Sequence, residues 1–179
     1  IFGNTTVSIS EPDPTNKPTR IYHNIYGGGA YGSVGTYEYT TTTTDPLYPG
    51  IEKVSGISSC TSGGTATIAI TGVIIGADGK ENGMVFGSSR GDVGAPGSRD
   101  DLMAWVNTTN VTIGAANTTG PTIRGSVYGS GENGHTLSNA VVTVHSGVIG
   151  IHDGSDADAT RGNVYGAGSG IGQYNYDFN

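Results

Sequence analysis

One short phrase recurs four times in this chain and restricts its folding more than any other feature: an apolar residue, an aromatic ring, then glycine. The copies are Asn24-Ile25-Tyr26-Gly27-Gly28-Gly29, Gly83-Met84-Val85-Phe86-Gly87-Ser88, Ser126-Val127-Tyr128-Gly129-Ser130-Gly131 and Asn163-Val164-Tyr165-Gly166-Ala167-Gly168. Three of them carry a second glycine two positions after the first, and the second copy has Ser89 there instead. Ahead of each lies a run of alternating polarity: Thr6-Val7-Ser8-Ile9, Thr67-Ile68-Ala69-Ile70, Asn110-Val111-Thr112-Ile113 and Ala140-Val141-Val142-Thr143-Val144. From the apolar anchors Val7, Ile68, Val111 and Val142 to the following ring, the separations are 19, 18, 17 and 23 residues. Ring to ring, the spacings are 60, 42 and 37 residues. A constant core with variable gaps is the signature of stacked structural repeats carrying loop insertions.

The alternation sets the geometry. In an extended run such as Thr67-Ile68-Ala69-Ile70, both isoleucines face one side of the backbone and the polar or small residues the other. One such strand buries two side chains and has no independent stability. If the chain turns a corner after each strand, the next pass lays its equivalent strand alongside in parallel, and each Val or Ile covers its counterpart. Two modules run on into a further apolar element, Gly72-Val73-Ile74-Ile75-Gly76 and Gly147-Val148-Ile149-Gly150. The glycines after the rings are expected to supply positive φ at the corners. The rings themselves either stack on one another or close the corners against the core. The expected fold is therefore all-β, a right-handed parallel β-helix (β-solenoid) of about four degenerate coils; a β-sandwich is the alternative that short strands and many turns also allow. Loops are expected at Thr40 to Thr44 with Asp45-Pro46-Leu47-Tyr48-Pro49-Gly50, and at Gly94 to Asp101.

Composition agrees with a narrow core. Of 179 residues 32 are glycine, well above the ordinary ~7%, and only 13% are charged. Disordered chains are usually rich in charge, whereas the polar bulk here is neutral and interleaved with Val and Ile. The formal net charge of −7 argues against a nucleic-acid partner, which needs a basic footprint, and against attraction to anionic lipid. No apolar run approaches the ~18 residues of a membrane-spanning helix, so membrane insertion is not expected. A single cysteine, Cys60, excludes an internal disulfide framework. The chain opens Ile1-Phe2-Gly3-Asn4 without an initiator Met or signal segment. Residues 1–179 read as one domain, a piece of a larger repetitive protein.

The block Thr-x-Val-x-Ile followed by Val-Tyr-Gly-x-Gly resembles the Gly-rich "VYGGG" repeats of bacterial cell-surface, adhesin-like proteins of Bacteroidetes type. Ile25-Tyr26-Gly27-Gly28-Gly29 matches best, with Val164-Tyr165-Gly166-Ala167-Gly168 and Val127-Tyr128-Gly129-Ser130-Gly131 near it. The resemblance implies an extracellular or cell-surface location and a non-enzymatic structural or adhesive role. The partners it implies are a host or matrix protein or glycan, and neighbouring solenoid repeats of the same protein. It carries no catalytic residues that map onto this chain.

Candidate contact residues each have a plainer reading beside them. Tyr37, Tyr39, Tyr48 and Trp105 are aromatic and could stack on sugars or a partner; a lone Trp after Asp101-Leu102-Met103-Ala104 is as readily a core residue on a helical turn. Arg90-Gly91-Asp92 is a cell-attachment tripeptide if presented on an exposed turn, and otherwise a charged turn in a glycine-rich chain. Asp153, Asp156 and Asp158 offer oxygen donors for a structural Ca²⁺, although their spacing matches neither an EF-hand loop nor a calcium β-roll, and a solvated acidic loop is the default. No other cofactor is expected. Parallel β-helices also host polysaccharide lyases and hydrolases, so a carbohydrate-binding or polysaccharide-degrading protein is the alternative function. Only Arg99-Asp100-Asp101 and Arg161 could serve such chemistry, and adjacent Asp residues on a strand face opposite ways. His23, His135, His145 and His152 show no strong metal-ligand spacing.

Overall fold

The computed structural model describes residues 1–11, 19–44, 52–79, 82–91, 103–151 and 162–170. Every regular element among them is a strand. The first pass of the chain contains β1 (Thr5–Ser10), β2 (Arg20–Ile21) and β3 (Ile25–Tyr26). A hairpin follows, β4 (Thr36–Thr44) with β5 (Glu52–Ser62). The second pass holds β6 (Thr65–Thr71), β7 (Ile74–Ile75) and β8 (Val85–Phe86), and leads through β9 (Trp105–Val106). The third holds β10 (Thr108–Ile113), β11 (Thr122–Ile123) and β12 (Val127–Tyr128), and leads through β13 (His135–Thr136). The fourth holds β14 (Ala140–Val144), β15 (Val148–Ile149) and β16 (Val164–Tyr165).

Equivalent strands of successive passes lie side by side. β1-β6-β10-β14, β2-β7-β11-β15 and β3-β8-β12-β16 form three four-stranded sheets, parallel throughout. A fourth side is built from Val34, β9 and β13, also parallel. The four passes are thus rungs of a stack, an arrangement compatible with a β-helix. The anchors picked from the alternation are in register, with Val7 beside Ile68, Ile68 beside Val111, and Val111 beside Val142.

The core runs along the inside of the stack. Ile68, Ile70, Val111, Ile113, Ile75, Ile123, Val85 and Val127 are at most 1% exposed and form one cluster. Burying each of these side chains stabilises the fold by roughly 1.5–3 kcal/mol. A smaller cluster of Val34, Ala66 and Val106 lines the fourth side. β6 and β10 alternate between half-buried and buried residues, whereas β1 alternates only between exposed and half-buried. Interior rungs are covered on both sides and end rungs on one.

The rings stack. Tyr26 and Phe86 lie 5.2 Å apart between centroids, Phe86 and Tyr128 4.9 Å, and Tyr128 and Tyr165 4.9 Å, with planes within 14° of parallel. These separations match the ~4.8 Å between neighbouring strands, so in-register parallel pairing places one ring over the next. The glycine after each ring has a different purpose from the one expected. Gly27, Gly87 and Gly129 are not in the positive-φ region. A methyl on Gly27 would overlap the carbonyl of Gly87, one on Gly87 the carbonyl of Gly129, and one on Gly129 that of Gly166. These glycines let rungs approach; positive φ is needed at other corners, such as Gly76 (φ 106°) after β7 and Gly150 (φ 93°) after β15.

The structure departs from the sequence reading, or adds to it, at three further places. Thr40–Thr44 is not a loop but part of β4, in an antiparallel hairpin whose pairing is broken by several register shifts. β-branched threonine suits extended backbone. Second, β2 and β11 supply the side that only two modules show in sequence; Arg20-Ile21 and Thr122-Ile123 are too short to display alternation. Third, Trp105 is on a strand, reached through Ala104 in the left-handed region (φ 60°), not on a helical turn.

Replacing Gly87 by Ala inserts a methyl against a backbone carbonyl and is expected to destabilise the chain by about 2 kcal/mol or more. Gly166→Ala meets nothing within 4 Å among the described residues and is expected to stay within about 0.5 kcal/mol of the parent. Urea denaturation of the two variants beside the parent checks the pair.

Candidate functional site

The fourth side carries a pair of rings that remain partly accessible. β9 and β13 pair so that Trp105 lies beside His135, and their rings stack with centroids 4.5 Å apart at 22°. Both are half-buried. Their neighbours Val106 and Thr136 follow on the same strands, and Val106 is fully buried beside Val34. Alternation therefore turns Val106 inward and the Trp105–His135 pair outward. The Trp105 amide donates to Ser33 Oγ at 3.0 Å, tying this column to the first rung.

The hairpin arises from the same side. Val34 precedes it, and Gly64, which follows it, accepts backbone hydrogen bonds from Asn107 and Thr108 at 2.8 and 3.0 Å. Tyr37 anchors the base: its ring is 8% exposed and its hydroxyl donates to the Val34 carbonyl at 2.6 Å. Burial is the main cause that pushes the Tyr37 phenol far up from its ordinary value, with Cys60 adding to it. Tyr37 is thus held at the base of the hairpin with its side chain largely covered. Tyr39, two residues on, is 48% exposed. Tyr48 lies outside the described residues. Of the four aromatic candidates, Trp105 is half-buried on the fourth side, Tyr39 is exposed on the hairpin and Tyr37 is buried at its base.

The Arg90-Gly91 backbone is tied into the stack. The Arg90 and Gly91 amides donate to the carbonyls of Gly29 and Ala30 at 2.9 and 2.8 Å, and the Arg90 carbonyl accepts from the Asn133 amide at 2.7 Å. This segment is held between the first and third rungs, and Gly91 is buried at φ 74°. Only the Arg90 side chain reaches solvent, where its Nε lies 3.8 Å from a Glu132 carboxylate oxygen. Asp92 lies outside the described residues, as do Asp153, Asp156, Asp158, Asp100, Asp101 and Arg161.

Two polar clusters had no sequence signal, because each joins residues from different rungs. Tyr26 donates to Glu132 at 2.5 Å and accepts from the Asn24 side chain at 3.1 Å. Burial first, then the Glu132 hydrogen bond, raises the Tyr26 phenol above its ordinary value. On another side, Arg20 of the first rung and Arg124 after β11 of the third converge on Asp78 of the second, at 2.9 and 2.5 Å. Arg124 also donates to the Ala77 carbonyl at 3.1 Å. The cluster bridges three rungs from outside, and the partners are 46 and 58 residues from Asp78. Spotting it needs the register.

The hydrogen bond and charge of Arg20, reinforced by Arg124, hold the Asp78 carboxyl below the usual range. A depressed folded-state pKa contributes stability above the unfolded value, and that contribution disappears as pH falls through the folded value. Asp78→Asn is expected to flatten the acid limb of stability below about pH 4 and to leave the neutral-to-basic region parallel to the parent. Thermal melts from pH 7 to pH 2 check this. Comparison with family models, curated proteins and solved structures finds no match to this chain.

Proposed function

We propose that the chain is a right-handed parallel β-helix of four coils serving as a non-enzymatic structural and adhesive module on the exterior of a bacterial cell. The observation that carries this reading is the registered ladder of Tyr26, Phe86, Tyr128 and Tyr165. Repetition of that kind builds length and stiffness: each rung depends on its neighbours, and the same contact is made three times. The Val-Tyr-Gly phrase that makes the contact is also what the chain shares with adhesin-like surface repeats. A net charge of −7 suits a solvated surface component and disfavours nucleic acid.

In this reading the side carrying Trp105, His135 and the β4–β5 hairpin is the contact face, directed at a host or matrix protein or a glycan. Structural Ca²⁺ at Asp153, Asp156 and Asp158 belongs to the same proposal. A half-exposed Trp105–His135 stack and an exposed Tyr39 favour glycan as the ligand, since rings of this kind take the apolar faces of sugars.

Glycan and matrix-protein arrays test the assignment. The parent chain is expected to retain a subset of ligands, and Trp105→Ala with Tyr39→Ala to lose at least about tenfold in affinity, or roughly 1.4 kcal/mol. Release of reducing ends or unsaturated products from acidic polysaccharides by the parent would replace this reading with the enzymatic one.

A further inference from the structure

The fourth rung ends in a surface that the other three rungs keep covered. Val127 and Val85 are fully buried, yet their counterpart Val164 is 48% exposed. Phe86 and Tyr128 are 1% and 8% exposed, while Tyr165 at the same station is 40% exposed. Val144, in line with the fully buried Ile113 and Ile70, is 45% exposed. A methyl on Gly166 would meet nothing within 4 Å among the described residues, whereas each earlier glycine of its column faces the next rung's carbonyl.

The backbone is equally unfinished. Ile25, Val85 and Val127 donate their amides to Met84, Ser126 and Asn163 of the next rung, at 2.9–3.0 Å. Gly27, Gly87 and Gly129 donate likewise to Phe86, Tyr128 and Tyr165. Val164 and Gly166 continue both series, and no further rung stands beyond them among the described residues. What completes this surface is a parallel rung with an apolar residue, a ring and a glycine at the same stations.

The first rung is such a rung, and its outer edges have no strand partner among the described residues. We propose that the fourth rung binds the first rung of a second copy of this chain, so that molecules stack head to tail. Tyr165 then stacks on the copy's Tyr26, Val164 covers Ile25, Ile149 meets Ile21, and Val142 and Val144 meet Val7 and Ile9. The copy's Arg20 lays its methylene stem over Val148. The Val164 and Gly166 amides donate to the Asn24 and Tyr26 carbonyls of the copy, continuing the existing ladder. A rung packed on its own twin would turn the strands antiparallel and lose this register. Because the two surfaces differ, the contact does not close on itself, and it propagates into filaments.

This inference deepens the proposed structural role and rests on its coil-on-coil reading. The test uses two exposed, outward-facing residues, Ser8 and Thr143, which share one station of the first sheet and lie opposite each other across the proposed junction. Sedimentation velocity of the parent over a wide concentration range is expected to show an open-ended series of oligomers. The double variant Ser8→Glu, Thr143→Glu sets like charges face to face and is expected to weaken association at least about tenfold. Ser8→Lys with Thr143→Glu is expected to restore it. A parent that stays monomeric with its β-sheet circular dichroism intact overturns the head-to-tail contact and leaves the coil reading standing. A closed dimer indifferent to both double variants overturns it as well.

Discussion

Everything in this molecule depends on one registered contact, the laying of a rung on its twin so that backbone, aliphatic side chain and ring all match at once. Strand spacing and ring stacking distance are nearly equal, so a single register satisfies hydrogen bonding and aromatic packing together. A slip by one residue would turn Ile68 and Ile70 out of the core and place Tyr128 over a glycine. The column of Gly27, Gly87 and Gly129 enforces the same choice sterically, because a side chain there would hold the rungs apart.

A stack of this kind distributes its stability along one dimension. Ile68 and Val111 are completely covered because rungs lie on both sides of them, and Val7 and Val142 at equivalent stations are only half-buried. Small polar devices are also arranged rung by rung. Thr5 donates its hydroxyl to the Gly27 carbonyl at 2.7 Å, and Thr109 makes the matching bond to Gly129. At the same station the second and fourth rungs carry Ala66 and Ala140. Threonine and alanine therefore alternate up the column, and each hydroxyl bond adds about 0.5–1.5 kcal/mol.

The sides of the stack differ in what they offer. One is held by the Arg20–Asp78–Arg124 cluster, which ties three rungs from outside. Another carries the hairpin and the Trp105–His135 pair, where the rings turn outward because Val106 must turn inward. The Arg90-Gly91 backbone, for its part, is hydrogen-bonded to both the first and the third rung.

Much of the fold was legible because periodicity is a local property. The alternation around Ile68 and Val111 and the recurrence of Tyr26, Phe86, Tyr128 and Tyr165 identified the strands, their parallel register and the four passes. The sequence could not decide whether those rings stacked or closed corners, and it assigned the glycines beside them to the wrong task. Both depend on distances between rungs, which no single segment contains. Two-residue strands such as Arg20-Ile21 carry too little pattern to be read. The hairpin broke the repeat and so looked like loop, and the clusters at Asp78 and Glu132 exist only once residues far apart share a column. Local alternation settled the long strands of the stack; the tertiary structure decided what each strand meets, because contact across rungs is set by stacking and not by order along the chain.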